Sequence, residues 1–286
     1  MKGEHAIAIL CELLGISRSG YYRWRQRRPS ARQRKDAVLS RHIAKSHRES
    51  RGNYGSPRVV KDLQEEGLPT SRRRCTRLMK ELGIHGRKKP RRKPRTTDSR
   101  HTKPVAPNLL ASMEKPTGPN QVLVTDITYL QTGESWLYLA VILDAWSRKA
   151  IGWACSSTLT AALVIAAFEH AKNRRALRPG TIHHSDRGSQ YVDSAYIEAL
   201  QQAGVVRSMS RAGNCYDNAI IESFWSSLKT ETQMDVVIPA TRRDAQLAVF
   251  DYIETFYNSR RRHSSLGYLS PVAFEKQHTD KIIKAA

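Results

Sequence analysis

Residues 120–155 read NQVLVTDITYLQTGESWLYLAVILDAWSRKAIGWAC. The stretch is apolar, β-branched and aromatic, and it breaks only at QTGE and SRK, so it predicts three consecutive strands joined by tight turns in an antiparallel start. Downstream, TAALVIAAFEHAKN predicts a helix, TIHHSD a strand, SAYIEALQQAG a helix and VVRSMS another short strand. Two further helices are expected, from about Asp217 to Thr230 and from Arg242 to Ser259. Three strands followed by alternating helices and strands make an α/β fold around one sheet.

Upstream the texture differs. Residues 1–110 carry 29 Lys and Arg against 9 Asp and Glu, whereas residues 111–286 carry 19 against 17. A front this basic repels itself unless it meets a polyanion, which points to nucleic acid. In residues 1–30 an apolar helix (Ile7, Ile9, Leu10, Leu13, Leu14) meets Gly15, and Ser17 caps SRSGYYRWRQRR. That pattern fits a helix-turn-helix or an ordinary helical hairpin with a solvated arginine face. Residues 31–86 repeat the theme as a second helical DNA-binding domain. Val38, Leu39 and Ile43 mark one helix, Pro57 to Leu63 another, and Ser71 caps SRRRCTRLMKELGI. On that last helix Leu78, Met79 and Leu82 share a spacing that Arg72, Arg73, Arg74 and Arg77 largely avoid, leaving an arginine face suited to phosphate. Residues 87–115, rich in Lys, Arg and Pro, read as a linker that either follows a DNA backbone or tethers passively. A core over 116–240 and a helical extension over 241–286 complete the division.

Several classes are excluded. No apolar run nears the roughly 18–20 residues that span a bilayer. Cys11, Cys75, Cys155 and Cys215 lie far apart, without zinc spacing, and predict reduced thiols rather than a disulfide framework.

Three carboxylates stand out. Asp126 lies inside the first strand between apolar neighbours, where a charge is costly unless a cation compensates it. Asp186 ends the strand TIHHSD and opens a glycine turn, at the end of the sheet where α/β folds place ligands. On the helix that follows, Glu222, Ser226 and Lys229 fall within about 40° of one another together with Asn218. Ile221, Phe224, Trp225 and Leu228 form a separate apolar arc. Each acid alone also reads as a structural side chain: a strand-end Asp, a turn Asp, a solvated helix Glu. Asp144 reads as structural. His183 and His184 alternate across their strand, so one is expected to face the core. Tyr257, Asn258, Arg260, Arg261, Arg262 and His263 either hold DNA or fix the tail of the domain.

Together, Asp126 in VTDITYL, Asp186 in HSDRGSQY and Glu222 in YDNAIIESFWSSLKTE resemble the retroviral-integrase-like DDE transposases. They are most similar to the second-reading-frame product of the insertion-sequence three family. Thirty-five residues separate Asp186 from Glu222, which is that family's spacing. The similarity spans nearly the whole chain. LGISRSGYYRWRQR and YGSPRVVKDLQEEG resemble its amino-terminal DNA-binding region, and FYNSRRRHSSLGYLSPVAF its carboxyl-terminal signature. Leu123, where many relatives have Trp, and Cys215 depart from the pattern.

The resemblance implies a ribonuclease-H-like integrase catalytic core behind an all-α helix-turn-helix region. It also implies a triad of Asp126, Asp186 and Glu222 holding two Mg²⁺ or Mn²⁺ ions, cleavage at insertion-sequence ends, and strand transfer through a circular intermediate. Lys229 would orient the terminal phosphates, and Arg58, Arg72, Arg73, Arg74 and Arg77 would contact DNA. The implied partners are DNA, further copies in a multimer and a separate first-frame protein; the implied setting is a bacterial cytoplasm at the nucleoid, with no membrane. A ribonuclease-H-fold nuclease that cleaves without joining, and an inert DNA-binding regulator, are the competing readings.

Overall fold

Strand β1 (Val122–Gln131) pairs antiparallel with β2 (Trp136–Asp144), with Asp126 opposite Val141, and β2 pairs antiparallel with β3 (Ala150–Ser156). Beyond helix α6 (Ala161–Arg174) the chain returns as β4 (Ile182–Ser185), parallel to β1, and after α7 (Ser194–Gln202) as β5 (Val206–Met209), parallel to β4. The order across the sheet is therefore β3-β2-β1-β4-β5. These features belong to a computed structural model, which describes residues 7–88, 105–210 and 219–285. The expected antiparallel start and the later parallel strands are both present, in the ribonuclease-H-like arrangement.

The period-2 alternation of the strands divides two apolar layers. Leu123, Ala140, Ile142 and Ile151 face α6, α7 and a short 3-10 turn at Ser189–Val192. Val122, Val124, Leu139, Val141 and Leu143 face the other way, towards helices α8 (Ala219–Thr232) and α9 (Arg242–Phe250). With both faces covered, β2 is a nearly continuous apolar run. Helix α6 sits close on the sheet because Gly152 has no side chain. A Cβ there would meet the Ala167 carbonyl oxygen at 2.4 Å.

Buried Asp144 takes the structural role expected of it: Oδ1 accepts from the Trp146 and Ser147 amides (2.9 and 2.8 Å), and Oδ2 from the Asn120 amide (2.6 Å). It thereby fixes the β2–β3 turn and the entry to β1. Both histidines of β4 are buried, not one. His183 Nε2 meets the Tyr196 hydroxyl at 2.6 Å, and His184 Nδ1 meets Ser208 Oγ at 2.9 Å.

The helix expected over 242–259 is regular only to Phe250. It continues as a π-helical segment, Asp251–Tyr257, where the Asn258 amide donates to the Ile253 carbonyl five residues back. The wider turn buries Tyr252, Ile253, Phe256 and Tyr257 together. It also delivers the Asn258 carboxamide to β3, where Oδ1 accepts from the Ala150 amide and Nδ2 donates to the Ala150 carbonyl, both at 2.9 Å. Farther along the same edge, His170 Nδ1 lies 2.8 Å from the Trp153 carbonyl oxygen. The chain closes with α10 (Pro271–Ala285).

In front of this core lie α1 (Ile7–Leu13), α2 (Arg18–Arg25), α3 (Ala31–Glu49), α4 (Ser56–Glu65) and α5 (Arg72–Glu81). Ser17 and Ser71 cap α2 and α5 as expected, accepting from the Gly20 and Arg74 amides. Leu39, Ile43, Val59, Val60, Leu63, Cys75, Leu78 and Met79 bury a three-helix core among α3, α4 and α5. That bundle is not free of the sheet domain. Arg262 Nε reaches Asp62 at 2.5 Å and its Nη1 reaches Glu65 at 2.7 Å, while Arg51 pairs with Asp251. Among the described residues no helix is long and apolar enough to cross a membrane, and Cys11, Cys75 and Cys155 are free thiols. Most of the basic linker (residues 89–104), Cys215, Asp217 and Asn218 lie outside the described residues.

Candidate active site

Asp126 shares a strand face with Val122 and Val124, so its side chain is aimed at α8. There Trp225 Nε1 donates to Asp126 Oδ2 at 2.8 Å. Trp225 belongs to the apolar arc of α8 with Ile221, Phe224 and Leu228, all four buried against the sheet. Packing of that arc therefore sets the rotation of the helix. It leaves Glu222, in the first turn, on an exposed face.

Asp186 follows β4 directly, and its Oδ1 accepts from the Gly188 amide at 2.9 Å in the turn it opens. A side chain on Gly188 would stand 3.1 Å from that oxygen, so glycine keeps the turn tight around the carboxylate. Burial raises the Asp186 pKa above the ordinary carboxylate range, against the opposing Gly188 hydrogen bond. Asp126 is pushed up to about 7, by burial first and then by the charges of Asp186 and Glu222, against the Trp225 hydrogen bond. Lys229, two turns beyond Glu222, is lowered by burial, while Asp126 is among the charges that hold it up. Asp186, Glu222 and Lys229 thus all lie within electrostatic range of Asp126.

Asp186 perturbs Asp126 more than Glu222 does. Among the described residues no three His, Cys, Asp or Glu side chains stand at metal-holding separations. Glu222 has no hydrogen-bond or ion-pair partner among those residues, so it is the unanchored member of the three. His183 is driven down to about 3 by burial and by His184, and as a neutral side chain bonded to Tyr196 it belongs to the core.

The arginines separate into two groups. Arg72 and Arg73 are exposed in the first turn of α5 and make no ion pair among the described residues. Arg74 and Arg77 lie on one helix face and share Asp36, at 2.6 and 2.7 Å, and Arg77 also reaches Glu81. Arg58 is turned into the seam between the bundle and the sheet domain, 3.7 Å from Glu231 and over the Tyr54 ring.

One constellation escaped the sequence reading. Glu231 accepts from Arg261 Nε and Nη2, both at 2.7 Å, and from the Tyr252 hydroxyl at 2.9 Å. The same guanidinium donates to Ser227 Oγ at 2.8 Å, so Arg261 bridges one turn of α8, from Ser227 to Glu231. Arg261 and Asn258 therefore fix the tail of the domain, one of the two roles open for that segment. The only local signal was the spacing of Ser227 and Glu231, which says nothing about a partner thirty residues on.

Two models described as "Integrase core domain" match residues 116–215 and 203–271, and one described as "HTH-like domain" matches residues 33–94. The "Insertion element IS600 uncharacterized 31 kDa protein" of Shigella sonnei is 46% identical over 94% of this chain and 98% of its own length. "Transposase InsF for insertion sequence IS3A" of Escherichia coli strain K12 is 39% identical over 97% of this chain and 96% of its own. Among solved structures, a simian T-cell lymphotropic virus intasome in complex with PP2A regulatory subunit B56 gamma is 15% identical with a TM-score of 0.47, covering 82% of this chain and 74% of that one. On the near full-length identity to these curated relatives, the chain belongs to the insertion-sequence transposases that carry an integrase core domain.

Proposed function

We propose that Asp126, Asp186 and Glu222 are the catalytic carboxylates of a metal-dependent DDE polynucleotidyl transferase, acting at insertion-sequence ends. The observation that carries the reading is the pair of carboxylates on adjacent parallel strands, Asp126 of β1 held by Trp225 and Asp186 at the end of β4 held by the Gly188 amide. Such a cluster has an unmet demand for positive charge, and three carboxylates are the hard oxygen donors that Mg²⁺ or Mn²⁺ takes. Two such ions, when bound, would relieve charge on the attacking and leaving oxygens of a phosphodiester. Asp126 is held by Trp225 and Asp186 by the Gly188 turn, so both are oriented in advance, and Glu222, which does not stand at metal-holding separation from them, would join the set from α8 when the ions bind.

In the proposed first step a water oxygen bonds to phosphorus at the element's end as the P–O3′ bond breaks, and the departing 3′ oxygen takes up a proton. In the second step that 3′-hydroxyl oxygen bonds to a target phosphorus, and the target's own 3′ oxygen leaves. Lys229 meets the terminal phosphates. Arg72 and Arg73, at the amide-rich start of α5, meet the DNA backbone. The proposed division is a helix-turn-helix segment over 1–30, a second DNA-binding domain over 31–86, a basic linker over 87–115, the catalytic core over 116–240 and a bracing extension over 241–286. The working form is proposed to be a multimer on DNA at the bacterial nucleoid, with a first-frame protein supplying end recognition.

The test is incubation of the purified chain with labelled element-end DNA and Mg²⁺ or Mn²⁺, beside Asp126→Asn, Asp186→Asn and Glu222→Gln. Metal-dependent cleavage and joining, lost in each variant, is the expected result. Joining retained by all three variants would remove the assignment. Cleavage without joining would turn the reading to a nuclease, and DNA binding without chemistry would call for adding the first-frame protein.

A further inference from the structure

Helix α8 ends against the amino-terminal bundle. Its last helical residue is Thr232, and Gln233 then takes the left-handed conformation, with φ at 64°, that favours glycine. The final turn of a helix leaves carbonyl oxygens without intrahelical donors. Here the Glu231 carbonyl receives no backbone amide among the described residues. Its donors are Arg87 Nη1 at 3.3 Å and Asn53 Nδ2 at 3.5 Å, both from the bundle. Arg87 Nη1 also lies 3.5 Å from the Thr230 carbonyl oxygen. With the Gln233 carboxamide oxygen turned to the guanidinium, Nη2 and Nη1 donate to it at 2.6 and 3.0 Å. Arg87 thus closes the negative end of the helix and holds the side chain of the residue that ends it.

The bundle is built to deliver this side chain. Gly86 crosses Gly55, at the start of α4, so closely that a Cβ on Gly86 would stand 2.4 Å from the Gly55 nitrogen and 2.7 Å from its Cα. The backbone that carries Arg87 is therefore fixed on the bundle, and Arg58 of α4 adds to the grip, 3.7 Å from the Glu231 carboxylate. Glu222 lies ten residues before Thr232, about 15 Å up the same helix, and no side chain among the described residues holds it. Its place is set by where α8 lies as a body. Apolar packing fixes the rotation of that body but is non-directional, so the level along the axis is defined by directed bonds at its far end. Arg261 supplies them from the tail of the core, and Arg87 from the bundle.

We propose that Arg87 is a positioning residue for the reaction: by capping α8 from the bundle it sets the level at which the helix presents Glu222 to Asp126 and Asp186, a reading that rests on the carboxylates being the reaction centre. Arg87 itself touches no reacting atom. The catalytic helix is completed by a residue 144 positions upstream of its partner in the chain.

The experiment uses the full chain, prepared free of metal, with two readouts that need no turnover. Hydrogen exchange over the peptide that covers α8 reads the cap. Quenching of tryptophan fluorescence by Mn²⁺ reads the site, because Trp225 bonds to Asp126, and Trp225→Phe isolates that part of the signal. Arg87→Ala is expected to quicken exchange in the last turn of α8 and to raise the Mn²⁺ midpoint about five- to tenfold, with the urea midpoint near that of the parent. Arg87→Lys is expected to recover part of both effects. Gln233→Gly placed in Arg87→Ala is expected to restore both, since glycine takes the left-handed conformation unaided. A Mn²⁺ midpoint unmoved in Arg87→Ala would overturn the positioning role, whether or not exchange quickens. So would weaker binding of end DNA with a shallower salt slope and exchange unaltered, because Arg87 would then be a direct DNA contact. A Mn²⁺ midpoint that Asp126→Asn also leaves unmoved would instead remove the carboxylate site on which the role rests.

Discussion

At the scale of single residues, beside Asp186, whose carboxyl is raised as well, Asp126 contributes to the pH behaviour of the metal-free chain. Its folded pKa, near 7, lies above the ordinary value of 3.8, so the folded state binds more protons between those limits. Stability contributed by the protonated form is therefore lost as pH rises through that window, the reverse of a salt-bridged carboxylate. Metal-free protein should melt lower at pH 8 than at pH 5, and Asp126→Asn should flatten the difference, stabilising by about 1–2 kcal/mol at pH 8 once solvent screening discounts the full shift. Scanning calorimetry with chelator at both pH values measures it, and an unaltered slope in the variant counts against the coupling.

The α5 arginines give a second contrast. Arg72→Ala with Arg73→Ala should reduce the salt slope of DNA binding by about two and leave stability unchanged. Arg74→Ala, which strips a partner from Asp36, should leave that salt slope unchanged and move the urea midpoint only slightly, because Arg77 still holds Asp36. The acids were legible in the sequence because charges inside apolar strands are conspicuous. The ion pairs of Arg74 and Arg77 were not, since Asp36 lies a whole helix away and no periodicity links it to them.

At the scale of elements, α8 is held at three places: Trp225 on Asp126, the apolar arc on the sheet, and Glu231 with Ser227 on Arg261. Removing one partner of a buried, bidentate pair strands the other, so Arg261→Ala or Glu231→Gln should destabilise by about 3–5 kcal/mol. Chemical denaturation measures that loss, and a value within about 0.5 kcal/mol of the parent would mean that the pair contributes nothing. The strands and α6 through α9 were readable because periods of 2 and 3.6 are local properties of the chain. The π-helical segment was not. DYIETFY carries an ordinary amphipathic mix, and the widening is set by four bulky side chains having to reach one core while Asn258 reaches β3. The Glu231–Arg261 pair was hidden for the same reason: its geometry is created by folding.

At the scale of the whole molecule, the amino-terminal bundle and the sheet domain are joined by charge as well as by packing. Arg262 ties Asp62 and Glu65 of α4 to the tail of the core, and Tyr54 receives the Arg262 amide at 2.8 Å. Arg262→Ala should loosen this seam, seen as faster proteolysis within residues 87–115 in the absence of DNA. Cleavage there at the parental rate would show that packing alone holds the two parts. The charge asymmetry between the two halves was plain in the sequence. The seam was not, because its ion pairs join residues about two hundred positions apart, Arg51 with Asp251 and Arg262 with Asp62 and Glu65, and no local pattern links them.

The occupied edge of β3 bears on how copies of this chain come together. Asn258 uses both backbone groups of Ala150, and His170 sits on the Trp153 carbonyl, so at those points the outermost strand has nothing left to offer a newcomer. A neighbouring molecule cannot stitch its own sheet onto this one there. At those two positions the rim of the sheet is sealed from within, by side chains of the same chain, and ribbon-like growth has no foothold there.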